Sequence, residues 1–348
     1  MTEKLKTVVF REANKLAVEE YDLPEVGPNQ VLVRVEACAI CTWEQRAYTG
    51  VNKVEYPFIG GHEIAGHIQA MGENVDSRAW HVGDKVLVGT MLACGACEQC
   101  LSGHAESCEH FDHSKQQPGL PFHGMGGLSS HLLVDPSNLF HYSNVPALEA
   151  SIVEPVSCVL HAVETADIHF GDIVLVIGCG IMGQLNALLA AKRGAMVIVS
   201  DTNEERTALA VELGAKFAIN PAKQDLIEAL KECTGGALAD VVIDTTPIPA
   251  VASQAITCLA NRGKVVFYSS FHPDEPIPFS PNQVHKYNLQ FIGTANSNKS
   301  DFVRASRIVS EGVISTKPFV SEVYPVDEAQ AAFDSALKGD KFRVVLTF

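Results

Sequence analysis

The sequence predicts a two-domain chain of α/β plus β class: a doubly wound parallel sheet covered by helices, joined to a β-rich domain built from both chain ends. Three observations carry this expectation. The chain has 348 residues, above the size at which one hydrophobic core stops growing. Its first third holds short β-type runs bounded by turn residues, at 31–36, 86–88 and 131–134. From about residue 170 the pattern becomes apolar strand, helix, apolar strand, repeated to about residue 296.

Val82-Gly83-Asp84-Lys85-Val86 places a turn before a strand, and the Pro-, Gly- and His-rich stretch at 110–127 reads as the longest loop. Residues 173–177 are β-branched or Leu with glycine after them; 184–192 has helical composition, and 196–200 is a second strand running into Asp201. Helices at 204–213, 223–232 and 250–259 then alternate with strands at 217–219, 240–244, 264–268 and 289–293. Such alternation means a parallel sheet covered on both faces. After Asn296 it stops: helical stretches at 300–311 and 327–338 lead to a last strand at 343–348, too short for a third domain. The expected division is 1–150, to which 297–348 returns, and 151–296.

With 47% hydrophobic and 19% charged residues, the chain is ordinary globular material. A net charge of −15 argues against nucleic acid and anionic membrane as partners, because both need clustered positive charge. The N-terminal stretch carries Glu3, Lys4 and Lys6 and has no apolar signal core, and no apolar run is long enough to span a bilayer, so the expected location is the cytoplasm. There, ten cysteines read as metal ligands or buried thiols.

Cys94, Cys97, Cys100 and Cys108 form C-x2-C-x2-C-x7-C, with Gly95 and Gly103 letting the backbone fold tightly. Such spacing suits four tetrahedral thiolates on a structural zinc; an iron–sulfur cluster is the rival reading. A closed shell stabilises the lobe and leaves no position for chemistry.

A second, open site is expected from separate segments. Gly61-His62-Glu63 follows a Pro-Phe-Ile-Gly run, Cys41 lies upstream after Ala39-Ile40, and Glu154-Pro155 lies far downstream. Cys41, His62 and either Glu63 or Glu154 supply the donors of a catalytic zinc that keeps one exchangeable position. Cys38 and Cys158 are competing ligands by spacing, read more simply as buried thiols. His123, His161 and the remaining histidines are taken as non-ligands.

Gly178-Cys179-Gly180-Ile181-Met182-Gly183 is a G-x-G-x-x-G that follows a strand and opens a helix. Gly178 makes the tight turn, Gly180 admits a pyrophosphate near the backbone, Gly183 permits helix–strand packing, and Ile181 and Met182 begin the helix whose N-terminus favours the anion. Asp201 stands where an acidic side chain accepts the ribose hydroxyls and repels a 2′-phosphate, which selects NAD over NADP. Arg206, five residues on, would complicate this preference, but that spacing puts it on the following helix, facing solvent.

Taken in order, Ala39-Ile40-Cys41, Gly61-His62-Glu63 with Gly66, residues 82–86, the cysteine lobe, Glu154-Pro155, the glycine motif and Asp201 resemble the zinc-containing medium-chain alcohol dehydrogenases, in their polyol (sorbitol-like) and threonine dehydrogenase branch. The resemblance implies a GroES-like β-barrel catalytic domain made of both chain ends, a Rossmann domain between them, and usually a dimer or tetramer. It makes Cys41 and His62 zinc ligands, and places Glu63 and Glu154 where polyol-type members carry the site's carboxylates, either binding directly and the other through water. Two departures stand out. Trp43 occupies the place of the usual Ser or Thr of a proton relay, so Thr42 or water takes that role, or the substrate stacks on Trp43. Gly293-Thr294-Ala295-Asn296-Ser297 lacks the Arg-Tyr pair of sorbitol-dehydrogenase-like members, which points away from sorbitol itself.

The resulting expectation is a zinc- and NAD-dependent dehydrogenase that oxidises a secondary alcohol, polyol or sugar-derived, to a ketone. Two rivals belong beside it. A zinc-independent carbonyl or quinone reductase would keep metal only in the cysteine lobe, and a non-catalytic NAD-binding sensor would bind the nucleotide without turnover.

Overall fold

The computed structural model describes residues 3–89 and 93–348. The chain divides into two compact units, Met1–Ser157 with Ser297–Phe348, and Cys158–Asn296. The first unit opens with an antiparallel hairpin of β1 (Lys4–Glu12) and β2 (Lys15–Asp22), turned at Asn14 with φ 62°, a left-handed conformation that asparagine tolerates. It continues through β3 (Val31–Ala39), β4 (Glu63–Met71), β5 (Lys85–Val88), β6 (His131–Val134) and β7 (Leu139–His141).

The second unit holds β8 (Ile173–Ile177), β9 (Met196–Ser200), β10 (Phe217–Ile219), β11 (Ala239–Asp244), β12 (Leu259–Phe267) and β13 (Gln290–Gly293). They form a parallel six-stranded sheet in the order β10-β9-β8-β11-β12-β13. Helices such as Ile181–Lys192, Glu204–Glu212, Leu226–Thr234 and Pro249–Thr257 link its strands. Central strands such as β8 are apolar throughout because a parallel sheet is covered on both faces.

The chain then returns to the first unit with β14 (Val320–Pro325) and β15 (Arg343–Thr347), which complete a seven-stranded sheet running β14-β15-β3-β4-β5-β7, with β6 also paired to β3. In β3, Val33, Val35 and Ala37 are buried while Arg34 and Glu36 between them are half-exposed, the period-two pattern of a sheet with one face on a core. That core takes residues from both chain ends. Phe333 packs edge-on against Phe10 with centroids 5.3 Å apart, and all of Phe10, Phe58 and Phe333 are fully buried. Truncating Phe333 to Ala costs about 3–5 kcal/mol.

Local chemistry shifts several expected boundaries. Asp225 accepts from the Ile227 and Glu228 N–H groups and so starts the helix at Leu226 rather than 223. Leu259, expected inside a helix, begins β12, because it pairs with Ala239 and the Ala239 N–H donates to the Cys258 carbonyl. The hairpin β1–β2, strands β4 and β14, and helices Thr42–Thr49 and Val153–Thr165 were not expected from the sequence. Among the described residues no helix is long and apolar enough to cross a membrane.

Candidate functional site

Strand register brings three distant segments of the first unit to one point. In β3, Ala39 pairs with Glu63 of β4 on one side and with Val345 of β15 on the other. The Ile40 N–H donates to the Val344 carbonyl at 2.9 Å, so Cys41, His62, Glu63 and Arg343 gather where the three strand ends meet. Backbone bonds from Gly127 to Gly61 and from Leu128 to Gly60, each 2.9 Å, hold the histidine turn from behind.

Cys41, His62 and Glu63 each place a donor atom within 4.8 Å of the others. Glu44, fully buried, has one carboxylate oxygen 2.7 Å from His62 Nδ1 and accepts the Gly61 N–H at 3.0 Å with the same atom. This contact fixes the ring and turns its other nitrogen toward the Cys41 side chain. Burial disfavours a charged His62, but Glu44 and Cys41 outweigh it and hold the imidazole well above its usual range. Burial likewise pushes the Cys41 thiol up, opposed by the Arg343 guanidinium.

Glu63 is not a loose carboxylate. Arg343 binds both its oxygens, Nε at 2.8 and 3.0 Å and an outer nitrogen at 2.8 Å, and the two side chains are 0% and 4% exposed. The same guanidinium reaches Cys41 Sγ at 3.5 Å. The Cys41 sulfur and the His62 ring nitrogen fit a borderline-soft ion such as zinc, with the buried Glu63–Arg343 pair beside them keeping the surroundings near neutral.

Glu154 begins the helix Val153–Thr165 and is felt electrostatically by Arg343, but it lies outside the 4.8 Å group. Cys38 is fully buried, its thiol raised by desolvation, and it donates weakly to the Ala39 carbonyl, as a packed thiol does. Cys158, one helical turn past Glu154, is also outside the group. His123 is spent on the Glu55 carbonyl at 2.8 Å. Thr42 is exposed at the first position of the helix Thr42–Thr49. Trp43 has its ring covered by His113, with centroids 4.9 Å apart and planes 16° from parallel.

Sequence reading missed Glu44 and Arg343. Glu44 carried a weak signal, a carboxylate in the first turn of a helix capped by Cys41. Arg343 carried none, since Glu63 lies 280 residues away along the chain.

Cys94, Cys97, Cys100 and Cys108 form the second compact donor group. Backbone N–H groups point at the sulfurs: Cys97 to Cys94 Sγ at 3.3 Å, and Cys94 and His110 to Cys108 Sγ at 3.2 and 3.3 Å. Such donors favour thiolates, and the backbone N–H groups of Cys100 and Glu109 bring the Cys97 thiol down to about 6. Four sulfurs caged by N–H groups fit a structural zinc.

In the second unit, β8 runs into the glycine motif and the helix Ile181–Lys192. Gly178 turns with φ +91°, and a Cβ on Gly183 would sit 1.8 Å from the Gly178 carbonyl oxygen, so close packing there admits only glycine. Gly180 faces open space, and Ile181 and Met182 form the first turn. Asp201 accepts the Cys179 N–H at 2.6 Å and the Asn203 N–H at 2.8 Å, one on each oxygen, which ties the glycine turn to the end of β9. Arg206 lies in the first turn of Glu204–Glu212, with its carbonyl bound by Gln184.

Comparison with known proteins adds a family to this geometry. Residues 27–145 match the alcohol dehydrogenase GroES-like domain, and residues 182–311 match the zinc-binding dehydrogenase domain. An L-threonine 3-dehydrogenase of Caldanaerobacter subterraneus subsp. tengcongensis is 30% identical, over 98% of this chain and 99% of its own. A sorbitol dehydrogenase of Halalkalibacterium halodurans is 29% identical over 95% of each. A zinc-binding dehydrogenase structure from Sinorhizobium meliloti 1021, bound to NADP, is 25% identical with a TM-score of 0.91, covering 99% of this chain and 100% of that one. Matched from end to end by such relatives, the chain belongs to the zinc-type medium-chain alcohol dehydrogenases, in the branch that holds the polyol and threonine dehydrogenases.

Proposed function

We propose that this enzyme, an alcohol dehydrogenase by family, oxidises a secondary hydroxyl of a polyol or sugar-derived alcohol to a ketone, using NAD. The observation that carries the reading is the division of labour around Cys41 and His62. Glu44 occupies one nitrogen of His62 and Arg343 occupies both oxygens of Glu63, so Cys41 Sγ and the remaining His62 nitrogen are the donors turned to a common point.

On this reading Cys41 and His62 hold the catalytic zinc and Glu154 completes the set. Glu63 stays on Arg343, because a turn toward the metal would leave a buried guanidinium unpaired. A zinc ion so held would supply Lewis acidity to the alcohol oxygen, and a nicotinamide bound at the glycine turn would supply the hydride acceptor. Glu44 keeps the His62 ring oriented, Arg343 offsets the negative charge of Glu63 and Cys41, and the Thr42 hydroxyl takes the substrate proton toward solvent in place of a hydroxyl at residue 43. Gly178, Gly180, Ile181, Met182 and Gly183 receive the pyrophosphate, and Asp201 receives the ribose diol with Arg206 beside it.

The cysteine lobe holds a second, structural zinc. The catalytic domain is the unit of residues 1–157 with 297–348, so the expected boundary after residue 150 moves past Glu154, and the nucleotide domain is residues 158–296. The protein works in the cytoplasm, where ten cysteines persist outside disulfides, as a dimer or tetramer. The test follows NADH absorbance with a panel of polyols, sugar acids and amino alcohols. Turnover of a secondary alcohol that is abolished in both Cys41→Ala and His62→Ala is expected, and unchanged turnover in either variant overturns the assignment.

A further inference from the structure

Trp43 has no room for a relay hydroxyl, and it is not a free platform either. Phe58 tilts against it at 5.8 Å, and the imidazole of His113 lies flat on its face. Phe111 also meets that imidazole edge-on, with centroids 4.9 Å apart at 62°. His113, in the long 110–127 loop, is thus clamped by two aromatic rings. Among the described residues no hydrogen bond reaches either of its ring nitrogens. Burial and the nearby charge of His62 both hold its pKa below the usual range, while Glu44 and Asp112 act the other way. Its stack on Trp43, two residues from Cys41 and next to Glu44, sets His113 beside the donor set, and an uncharged imidazole both donates and accepts, as a hydroxyl does.

We propose that His113, fixed by Trp43 and Phe111, is a specificity-determining residue that hydrogen-bonds a hydroxyl of the substrate next to the one being oxidised. The proposal rests on the polyol-dehydrogenase reading given above and names what would make the site prefer a polyol to a simple alcohol. A rigid, half-buried group with unspent hydrogen-bonding capacity loses little entropy on binding and discriminates against a substrate that leaves it unpaired. Trp43 acts as its support. Substrate stacking on the Trp43 face covered by His113 is sterically blocked.

The experiment compares erythritol, 2,3-butanediol and 2-butanol in the wild-type holoenzyme, His113→Phe, which keeps the ring but loses the nitrogens, and His113→Asn, which restores a donor and an acceptor. The expected result in His113→Phe is a rise in KM of about tenfold for the two polyhydroxylated substrates, the upper end for a neutral hydrogen bond, with kcat kept and KM for 2-butanol changed less than about twofold. His113→Asn is expected to recover part of the loss. An equal change on all three alcohols, or no change, overturns the inference and leaves the dehydrogenase reading standing. Wild-type turnover of none of the three overturns both.

Discussion

The Arg343–Glu63 pair gives the sharpest stability prediction. Arg343→Met removes one partner of a pair that is 4% and 0% exposed and joined by three N–H···O contacts of 2.8–3.0 Å. The carboxylate left behind stays fully buried without its guanidinium, so in the metal-free protein the cost should be about 3–5 kcal/mol, far above the ~0–1 kcal/mol of a surface pair. Replacing both, as Glu63→Leu with Arg343→Met, removes the buried charge as well and should recover stability to within about 1 kcal/mol of wild type. Urea unfolding followed by tryptophan fluorescence reads this directly, because both tryptophans, Trp43 and Trp80, lie in the same unit as the pair. A single variant costing under about 1 kcal/mol, or a double variant as damaged as the single, would refute the claim that the pair is a mutually neutralising anchor.

Two further outcomes are expected. Burial, and secondarily Arg34, lowers the His131 pKa to about 4, and its side chain is 1% exposed. The folded state therefore binds the proton less well than the unfolded chain, whose histidine titrates near ~6.5; this stability is complete above that pH and lost as pH falls toward 4. Between pH 7 and pH 5 the loss should be about 2 kcal/mol, and His131→Gln should flatten that part of the urea-unfolding profile. At the nucleotide turn, Asp201→Asn keeps an acceptor for the Cys179 N–H but removes the charge facing a 2′-phosphate. Steady-state kinetics should show kcat/KM for NADP relative to NAD rising by about tenfold, and an unchanged ratio would deny Asp201 that role.

What the sequence made legible follows from where its signals are local. The strands 173–177 and 196–200 stand as read, because strands covered on both faces are unbroken apolar runs and glycine or polar residues mark their ends, and the edge strand 217–219 also stands as read. The hairpin β1–β2 escaped because the adjacent charges Glu19 and Glu20, and the run Thr7-Val8-Val9-Phe10, break the alternation that marks a strand with one solvated face. The cysteine lobe was readable because its donors lie close in sequence. The partners that set the character of the open site were not. Glu44 is recognisable only once its helix is known, and Arg343 reaches Glu63 through the pairing of β15 with β3 and of β3 with β4, which no local pattern encodes. The stack of His113 on Trp43 likewise depends on the path of a long loop.

The most direct test of the account is anomalous scattering at the zinc edge from crystals of the zinc-loaded protein. Two peaks per chain are predicted, one among Cys94, Cys97, Cys100 and Cys108 and one bonded to Cys41 Sγ and the His62 nitrogen that faces away from Glu44, with Glu63 still held by Arg343. A single peak in the cysteine lobe, or a second ion bound by Glu63 with Arg343 displaced, would contradict it.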